Sequence, residues 1–452
     1  MCAPVRRVTS QPSVRTIAGE GERVEFTAAI IAVGFVLFAL VSRRLDRSPV
    51  TGTMVFTALG LVLGPEVLGF VDLTGFAGQT ELVSFVFVAT LVVVLFSDAS
   101  AICSARWSDD VIPARLLGVG LPAMIAIGWL GAGLVLGDLE LWEAALLATM
   151  LAPTDAALGK AVVSNPRVPQ RIRQALSVES GLNDGVALPV FVVFLEAAVA
   201  QEQQLPVADL VVELVRQVGV AVSLGIAVGW LGSRGFSWAY RRATADGPWL
   251  QIGVVALAGS AYALVDPLGG SGFIAAWVAG FVFGRAGRAN QVASAALNEF
   301  SETTGAWLTM ASFLLFGIYL GPVLTELTWP IVGYGVLSLV VFRIAAVTLS
   351  LVGSGLDRAS VLYLGWFGPR GLATIILSIE ILDLAELPGT ATITRAALFA
   401  VGLSVIAHGV TAWWGSNAYA DAMERHPEAG AMAEDVPVAE VRPPRRFEQS
   451  PG

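Results

Sequence analysis

Apolar segments long enough to cross a lipid bilayer follow one another along almost the whole chain, separated by short polar loops. A membrane-spanning helix needs roughly 20 mainly apolar residues, because each residue adds about 1.5 Å of length. Only 14% of the 452 residues are charged, whereas soluble domains carry roughly 25%. The sequence therefore predicts an all-α polytopic membrane protein rather than a water-soluble domain.

About thirteen such segments are present, at residues 24–41, 50–69, 82–96, 112–136, 141–163, 175–200, 210–231, 249–265, 271–284, 305–320, 329–352, 359–381 and 391–414. Arginines are concentrated in alternate loops, which favours an extracellular amino terminus and a cytoplasmic carboxyl terminus in a multi-pass protein of the plasma membrane. We interpret residues 1–23 as a polar tail, 24–417 as the transmembrane domain and 418–452 as a disordered cytoplasmic tail.

Several function classes are disfavoured by composition. The formal net charge of -9 and the lack of a basic face argue against nucleic acid as a partner. The two cysteines are far apart, so they indicate neither a disulfide framework nor a zinc site. We find no P-loop, expect no cofactor, and do not expect an enzyme.

Two polar clusters lie inside the fifth and sixth apolar segments: Thr154-Asp155, and the run from Glu179 to Asp184. A carboxylate in the hydrocarbon region costs several kcal/mol, so it is retained where it faces a cavity, a partner or an ion. Three buried carboxylates on neighbouring spans therefore predict a site for transported cations.

Pro153 and Pro369 interrupt the fifth and twelfth spans. Proline removes a backbone donor and clashes with the preceding turn, so both helices are expected to open there. Interrupted helices at corresponding positions of two halves indicate the midplane site of a transporter built from inverted repeats. Asp155 and Arg370, next to the two prolines, are the charges that would compensate the exposed helix dipoles.

On a helix, Ser180 and Asp184 share one face, while Glu179 points elsewhere. We expect the first face to meet the broken fifth helix, and Arg343 to be the counter-ion of Glu179. Carboxylates, hydroxyls and opened carbonyls form an oxygen cage that suits a hard cation. Such a carboxylate can hold either a proton or a cation. If the site changes the membrane face to which it opens only when one of them is bound, exchange of the two is obligatory.

With these residues, and with the sequence Gly368-Pro369-Arg370-Gly371, the chain resembles the NhaP-type sodium/proton antiporters of the cation/proton antiporter 1 family over about residues 24–414. The resemblance implies thirteen helices in two inverted repeats, with two broken, crossing helices, and a homodimer that exchanges Na+, or Li+ or K+, for H+. It also implies electroneutral one-for-one exchange, because an Asn precedes the central Asp.

The resemblance further implies a role for each site residue. Asp184 would bind the ion and the proton, with Asp155, Ser180 and Thr154 completing the coordination of Na+. Asn183 would hold the broken helix and Asp184 in place, Glu179 and Arg343 would form a structural pair, and Arg370 would support the second break. Asp98 departs from the family pattern by one position, so it is either a residue of the cytoplasmic entrance or a simple helix-end charge.

Two other functions are compatible with part of this pattern. Asp155 and Asp184 lie on adjacent spans, as the dyad of an intramembrane aspartyl protease would, although the Gly-x-Gly-Asp pattern is absent. A cation channel or a sensor on the same fold is the second alternative. Counter-transport of protons and cations would separate an antiporter from both.

Overall fold

The computed structural model describes residues 14–45, 48–71, 77–104, 111–204, 206–289, 294–384 and 387–425. These ranges contain helices and no β-strand. The described residues form α-helices with the following bounds: α1 Val14–Leu45, α2 Gly52–Leu63, α3 Ala77–Ser104, α4 Val111–Arg115, α5 Leu121–Val135, α6 Leu141–Met150, α7 Ala156–Val163, α8 Gln170–Glu202, α9 Val207–Arg242, α10 Gly247–Val265, α11 Gly272–Ala289, α12 Ser294–Thr325, α13 Trp329–Leu337, α14 Arg343–Ser350, α15 Arg358–Trp366, α16 Leu372–Leu384 and α17 Thr390–Arg425.

The described ranges contain nine helical segments that are long and apolar enough to cross a membrane by length and composition. Shorter apolar helices cover the second, fifth, ninth and twelfth predicted spans, at Gly52–Leu63, Leu141–Met150, Gly272–Gly287 and Leu372–Leu382. The chain is therefore an all-α polytopic membrane protein, as predicted. The number of thirteen crossings stays a prediction.

Both predicted breaks are present. Helix α6 ends at Met150 and α7 begins at Ala156, so the segment around Pro153 is not helical. Helix α15 ends at Trp366 and α16 begins at Leu372, which leaves Pro369 in a second open segment. Pro189 has no such effect, because it lies inside the continuous helix α8. The breaks thus need more than a proline, and their remaining determinants are the contacts described below.

The helices pack in two groups. Helices α2, α3 and α9–α12 contact one another, and glycines allow a close approach of α11 to α3. A methyl group on Gly280 would collide with the backbone of Phe96, and one on Gly284 with that of Ser100. Helices α5–α8 and α13–α17 form the second group, and α3 and α12 contact it through α8, α16 and α17.

The first and last helices extend past the predicted limits of the transmembrane domain, and those limits stay a prediction. Helix α1 begins at Val14, inside the segment predicted as a polar tail, and α17 continues to Arg425, inside the segment predicted as disordered. Arg167, in the loop between α7 and α8, bonds Asp421 at 2.5 Å and Glu424 at 3.0 Å. These contacts anchor the last two turns of α17. Residues 1–13 and 426–452 of the predicted tails lie outside the described ranges.

Candidate functional site

The two helix breaks meet each other. The backbone N–H of Asp155 donates a hydrogen bond of 2.8 Å to the carbonyl of Pro369. Open backbone in a membrane protein is tolerated only where its polar groups find partners inside the protein. A backbone donor of the first break therefore pairs with a backbone acceptor of the second. This contact brings together the ends of the four half-helices that flank the breaks: α6, α7, α15 and α16.

Asp155 caps two of these half-helices at once. Its Oδ1 accepts the N–H of Leu158 at 2.9 Å, in the first turn of α7, and its Oδ2 accepts the N–H of Leu372 at 2.7 Å, at the start of α16. The first N–H groups of a helix have no intrahelical acceptor and carry the positive end of the helix dipole. One carboxylate thus compensates two helix amino termini.

Arg370 has the opposite role. It is fully buried, and its guanidinium donates to the carbonyls of Ala152 and Pro153, the latter at 2.9 Å. These carbonyls directly follow the carboxyl-terminal end of α6, where unpaired acceptors and the negative end of the dipole lie. Asp155 and Arg370 therefore lie at the ends of the broken helices, where the sequence predicts charges that compensate the helix dipoles.

Helix α8 presents one polar face to the first break. The Nδ2 of Asn183 donates to Thr154 Oγ1 at 2.7 Å and to the Thr154 carbonyl at 3.2 Å. The hydroxyls of Thr154 and Ser180 are 3.2 Å apart. Asn183 thereby ties the open segment between α6 and α7 to the helix that carries Asp184.

Glu179 lies on a different face of α8 and meets Arg343. Both side chains are 4% exposed. The guanidinium makes two parallel hydrogen bonds to the carboxylate, one of them 2.8 Å from Nη2 to Oε2. Arg343 follows a π-helical turn at Ser338–Phe342. Nη2 also lies 3.4 Å from the carbonyl of Leu364 in α15. This bidentate pair links three helices, and through Leu364 it reaches the last turn of α15 beside the second break.

A cavity lies beside these contacts. Its polar lining combines three half-buried carboxylates with hydroxyls of the first break and of α8: Asp98, Asp155, Asp184, Thr154 and Ser180. The carboxylates come from three separate parts of the chain: α3, the first break directly before α7, and α8. Oxygen donors of this kind suit hard cations.

The cavity wall contains residues that sequence reasoning placed elsewhere or missed. Asp98 lines the same space as Asp155 and Asp184, so it is more than an isolated charge at a helix end. Thr309 of α12 and Thr374 of α16 also line the cavity. A single threonine in an apolar helix gives no sequence signal of this kind. Leu91 and Val94 of α3 supply apolar wall, so α3 and α12 close the cavity opposite the broken helices.

The chain matches the family described as the transmembrane sodium/hydrogen exchanger over residues 30–414. It is 28% identical over 366 residues to a K(+)/H(+) antiporter NhaP of Alkalimonas amylolytica, covering 79% of this chain and 61% of that protein. It is 26% identical over 396 residues to a K(+)/H(+) antiporter NhaP2 of Shewanella sp. (strain ANA-3), covering 85% of this chain and 64% of that protein. The chain thus spans less than two thirds of the length of these curated relatives.

Among solved structures, the sodium proton antiporter MjNhaP1 of Methanocaldococcus jannaschii at pH 8 superposes with a TM-score of 0.64. The superposition covers 91% of this chain and 98% of that protein at 20% identity, so it supports the fold. The family match extends over most of the chain and includes both breaks, α8 and the Glu179–Arg343 pair. This protein is a member of the transmembrane sodium/hydrogen exchanger family.

Proposed function

We propose that this protein is a transporter, rather than an enzyme, that exchanges a monovalent cation for H+ across the membrane. The observation that carries the proposal is a single cavity, within membrane-spanning helices, lined by Asp155, Asp184 and the hydroxyls of Thr154 and Ser180. The relatives above are named as K+/H+ antiporters, and the superposed structure is a sodium proton antiporter. The substrate class is therefore Na+, K+ or Li+ together with the proton.

Asp184 is the proposed shared site for the cation and the proton. Each oxygen of Asp155 already accepts a backbone N–H, so the charge of that carboxylate is partly compensated by the two helix ends. Asp184 instead lies in the middle of the continuous helix α8, where there is no helix end to compensate its charge. A proton or a cation must supply that compensation, and the two occupants exclude each other.

The neighbours of Asp184 support this assignment. Thr154, Ser180 and Asp155 line the same cavity and offer further oxygen ligands to a cation. Asn183 is bonded to Thr154, so it acts as a positioning residue. Its amide does not titrate, which favours electroneutral one-for-one exchange. The Glu179–Arg343 pair and Arg370 keep the surrounding helices in place, and Asp98 is the proposed entry residue from α3.

Alternating access follows from the position of the cavity. Helices α3 and α12 of one group close it on one side, and the broken helices of the other group close it on the opposite side. Movement of one group against the other would open it to each side in turn. We further propose a homodimer in the plasma membrane, with an extracellular amino terminus and a cytoplasmic carboxyl terminus, on the basis of the family resemblance and the arginine-rich alternate loops.

The protease alternative has no comparable support. A catalytic pair of aspartates must share one proton between free carboxyl groups. Both oxygens of Asp155 accept hydrogen bonds from backbone amides, so this carboxyl group is not free in the way that the catalytic pair requires.

The test is cation-driven proton movement in proteoliposomes that contain the purified protein and a trapped pH dye. Na+, K+ and Li+ are added one at a time to vesicles with a preset pH gradient, while the membrane potential is clamped at zero. We expect dye dequenching with at least one cation, and its loss in Asp184→Asn. Asp209→Asn, at an exposed position in α9, is the matched control and should keep the parent rate.

Full exchange in Asp184→Asn would refute the site. A parent protein that responds to none of the three cations would refute the function. Proton flux that requires a membrane potential would indicate a channel instead.

A further inference from the structure

A series of polar contacts joins α17 to α15 along most of the shorter helix. The hydroxyls of Ser360 and Tyr419 are 2.6 Å apart, and those of Tyr363 and Ser416 are 2.9 Å apart. One residue in this series, Trp366, donates from its indole N–H to Thr411 Oγ1 at 2.9 Å. We refer to this series as the α15–α17 ladder. Apolar lipid gives helices no hydrophobic reason to associate, so interhelical hydrogen bonds and packing hold them together.

The ladder continues past the end of α15 into the second break. His408 Nε2 is 2.9 Å from the carbonyl of Trp366, the last residue of α15. Ser404 Oγ accepts the backbone N–H of Arg370 at 2.7 Å. These two contacts differ from the others because they bind main-chain groups, one at the end of α15 and one in the open segment that follows it. Ser404 and His408 are 0% and 2% exposed, so water cannot replace them.

The tautomer of His408 decides which groups of this network donate and which accept. The Trp366 carbonyl is only an acceptor, so Nε2 of His408 must carry the hydrogen. Nδ1 lies 3.0 Å from the Ser404 hydroxyl and 3.1 Å from the Ser404 carbonyl. In the neutral ring with the hydrogen on Nε2, Nδ1 is an acceptor, and of these two groups only the hydroxyl can donate to it. The Ser404 oxygen in turn accepts from Arg370. In this arrangement the backbone N–H of Arg370, the hydroxyl of Ser404 and the Nε2–H of His408 each have an acceptor.

The two rungs connect directly to the candidate cation site. Arg370 bonds the carbonyls that follow α6, and Leu372, two residues further on, donates its N–H to Asp155. A shift of the segment between Trp366 and Leu372 would therefore move the Asp155 carboxylate in the cavity wall. We propose that Ser404 and His408 are positioning residues of this site, which fix the break between α15 and α16 from outside the cavity. This inference rests on the proposed cation exchange.

The test compares His408→Leu, His408→Gln and Ser404→Ala with Ser416→Ala. The glutamine keeps an N–H donor for the Trp366 carbonyl, whereas leucine leaves that acceptor buried and unpaired. Ser416→Ala is the matched control, because it removes a buried hydroxyl of the same ladder that bonds the Tyr363 side chain in α15 rather than a main-chain group. Two readouts are used: amide hydrogen exchange of the peptide that contains residues 367–374, and the KM and maximal rate for the cation in the dye assay.

For His408→Leu and Ser404→Ala we expect faster amide exchange in the break and a KM that rises about tenfold, equivalent to about 1.4 kcal/mol. His408→Gln should stay within about threefold of the parent KM, since it retains the donor. Ser416→Ala should lower thermal stability while the break and the KM remain as in the parent.

The proposal would be overturned if both His408→Leu and Ser404→Ala kept the parent rate of amide hydrogen exchange and the parent KM. It would also be overturned if Ser416→Ala changed the KM by the same factor as these two variants. If His408→Leu does not fold, Ser404→Ala decides alone. Amide exchange reports on the break even if the parent transports no cation, so failure of this inference is distinguishable from failure of the proposed function.

Discussion

The substitution Gly371→Ala tests whether the position of the Asp155 carboxylate controls the proposed transport. A methyl group on Gly371 would lie 2.7 Å from Asp155 Cβ and still closer to the carboxylate itself. Carbon atoms prefer separations of roughly 3.5–4.0 Å, so Gly371→Ala must displace the Asp155 side chain or the α16 backbone by about 1 Å. That displacement would also stretch the 2.7 Å hydrogen bond from Leu372 to Asp155.

A misplacement of about 1 Å at a reacting site can lower a rate by roughly 10²-fold. We therefore expect the maximal cation-driven dequenching rate of Gly371→Ala in proteoliposomes to fall by about that factor, at equal amounts of reconstituted protein. Gly133→Ala is the control. Gly133 lies in α5, and a methyl group there would meet nothing within 4 Å.

The reasoning would be refuted by a Gly371→Ala protein that is folded, monodisperse in detergent and transports at the parent rate. It would also fail if Gly133→Ala lost activity to the same extent, because the effect would then not depend on the contact between Gly371 and Asp155. A normal rate in the control together with a slow Gly371→Ala protein would leave the contact with Asp155 as the cause.

Two further predictions concern residues around the site. Arg343→Ala should destabilise the protein by about 3–5 kcal/mol, because it leaves the buried carboxylate of Glu179 uncompensated; unfolding in detergent measures this, and Glu179→Gln in the same chain should restore more than half of the loss. If Arg343→Ala keeps the parent stability, the pair is not structural. Asn183→Asp should introduce a second titrating group and break the hydrogen bond to Thr154, so exchange should become charge-moving; the absence of any transport current on supported membranes would contradict this.

The helix breaks and the polar residues near them were accessible from sequence because their signals are local. A proline within a long apolar segment, followed directly by a charged residue, requires both an interrupted ladder of backbone bonds and a partner for the charge. Glu179 and Arg343 belong to distant segments, yet two opposite charges at similar depth in lipid have few alternatives to each other. The structure places them in a bidentate pair.

Other features depend on which helices become neighbours, and no local signal carries that information. Asp98 joins the cavity because α3 packs beside α8 and α16. The end of α17 is extended by contacts of Asp421 and Glu424 with a loop more than two hundred residues earlier in the chain. The ladder left a weak sequence trace, since Ser404, His408 and Thr411 fall within about 60° of one another on a helix. That trace indicates a buried polar face but does not identify the partner.

The broken helices explain why the proposed transporter has more buried charged residues than the ion site alone would require. Four half-helices expose unpaired donors and acceptors in a region without water, and each of these ends is matched: α7 and α16 by Asp155, α6 by Arg370, and α15 by Arg343 and His408. Asp184 differs because it interrupts no helix. Its charge is therefore available for compensation by a mobile ion in the proposed exchange, while the surrounding charges hold the open backbone in place.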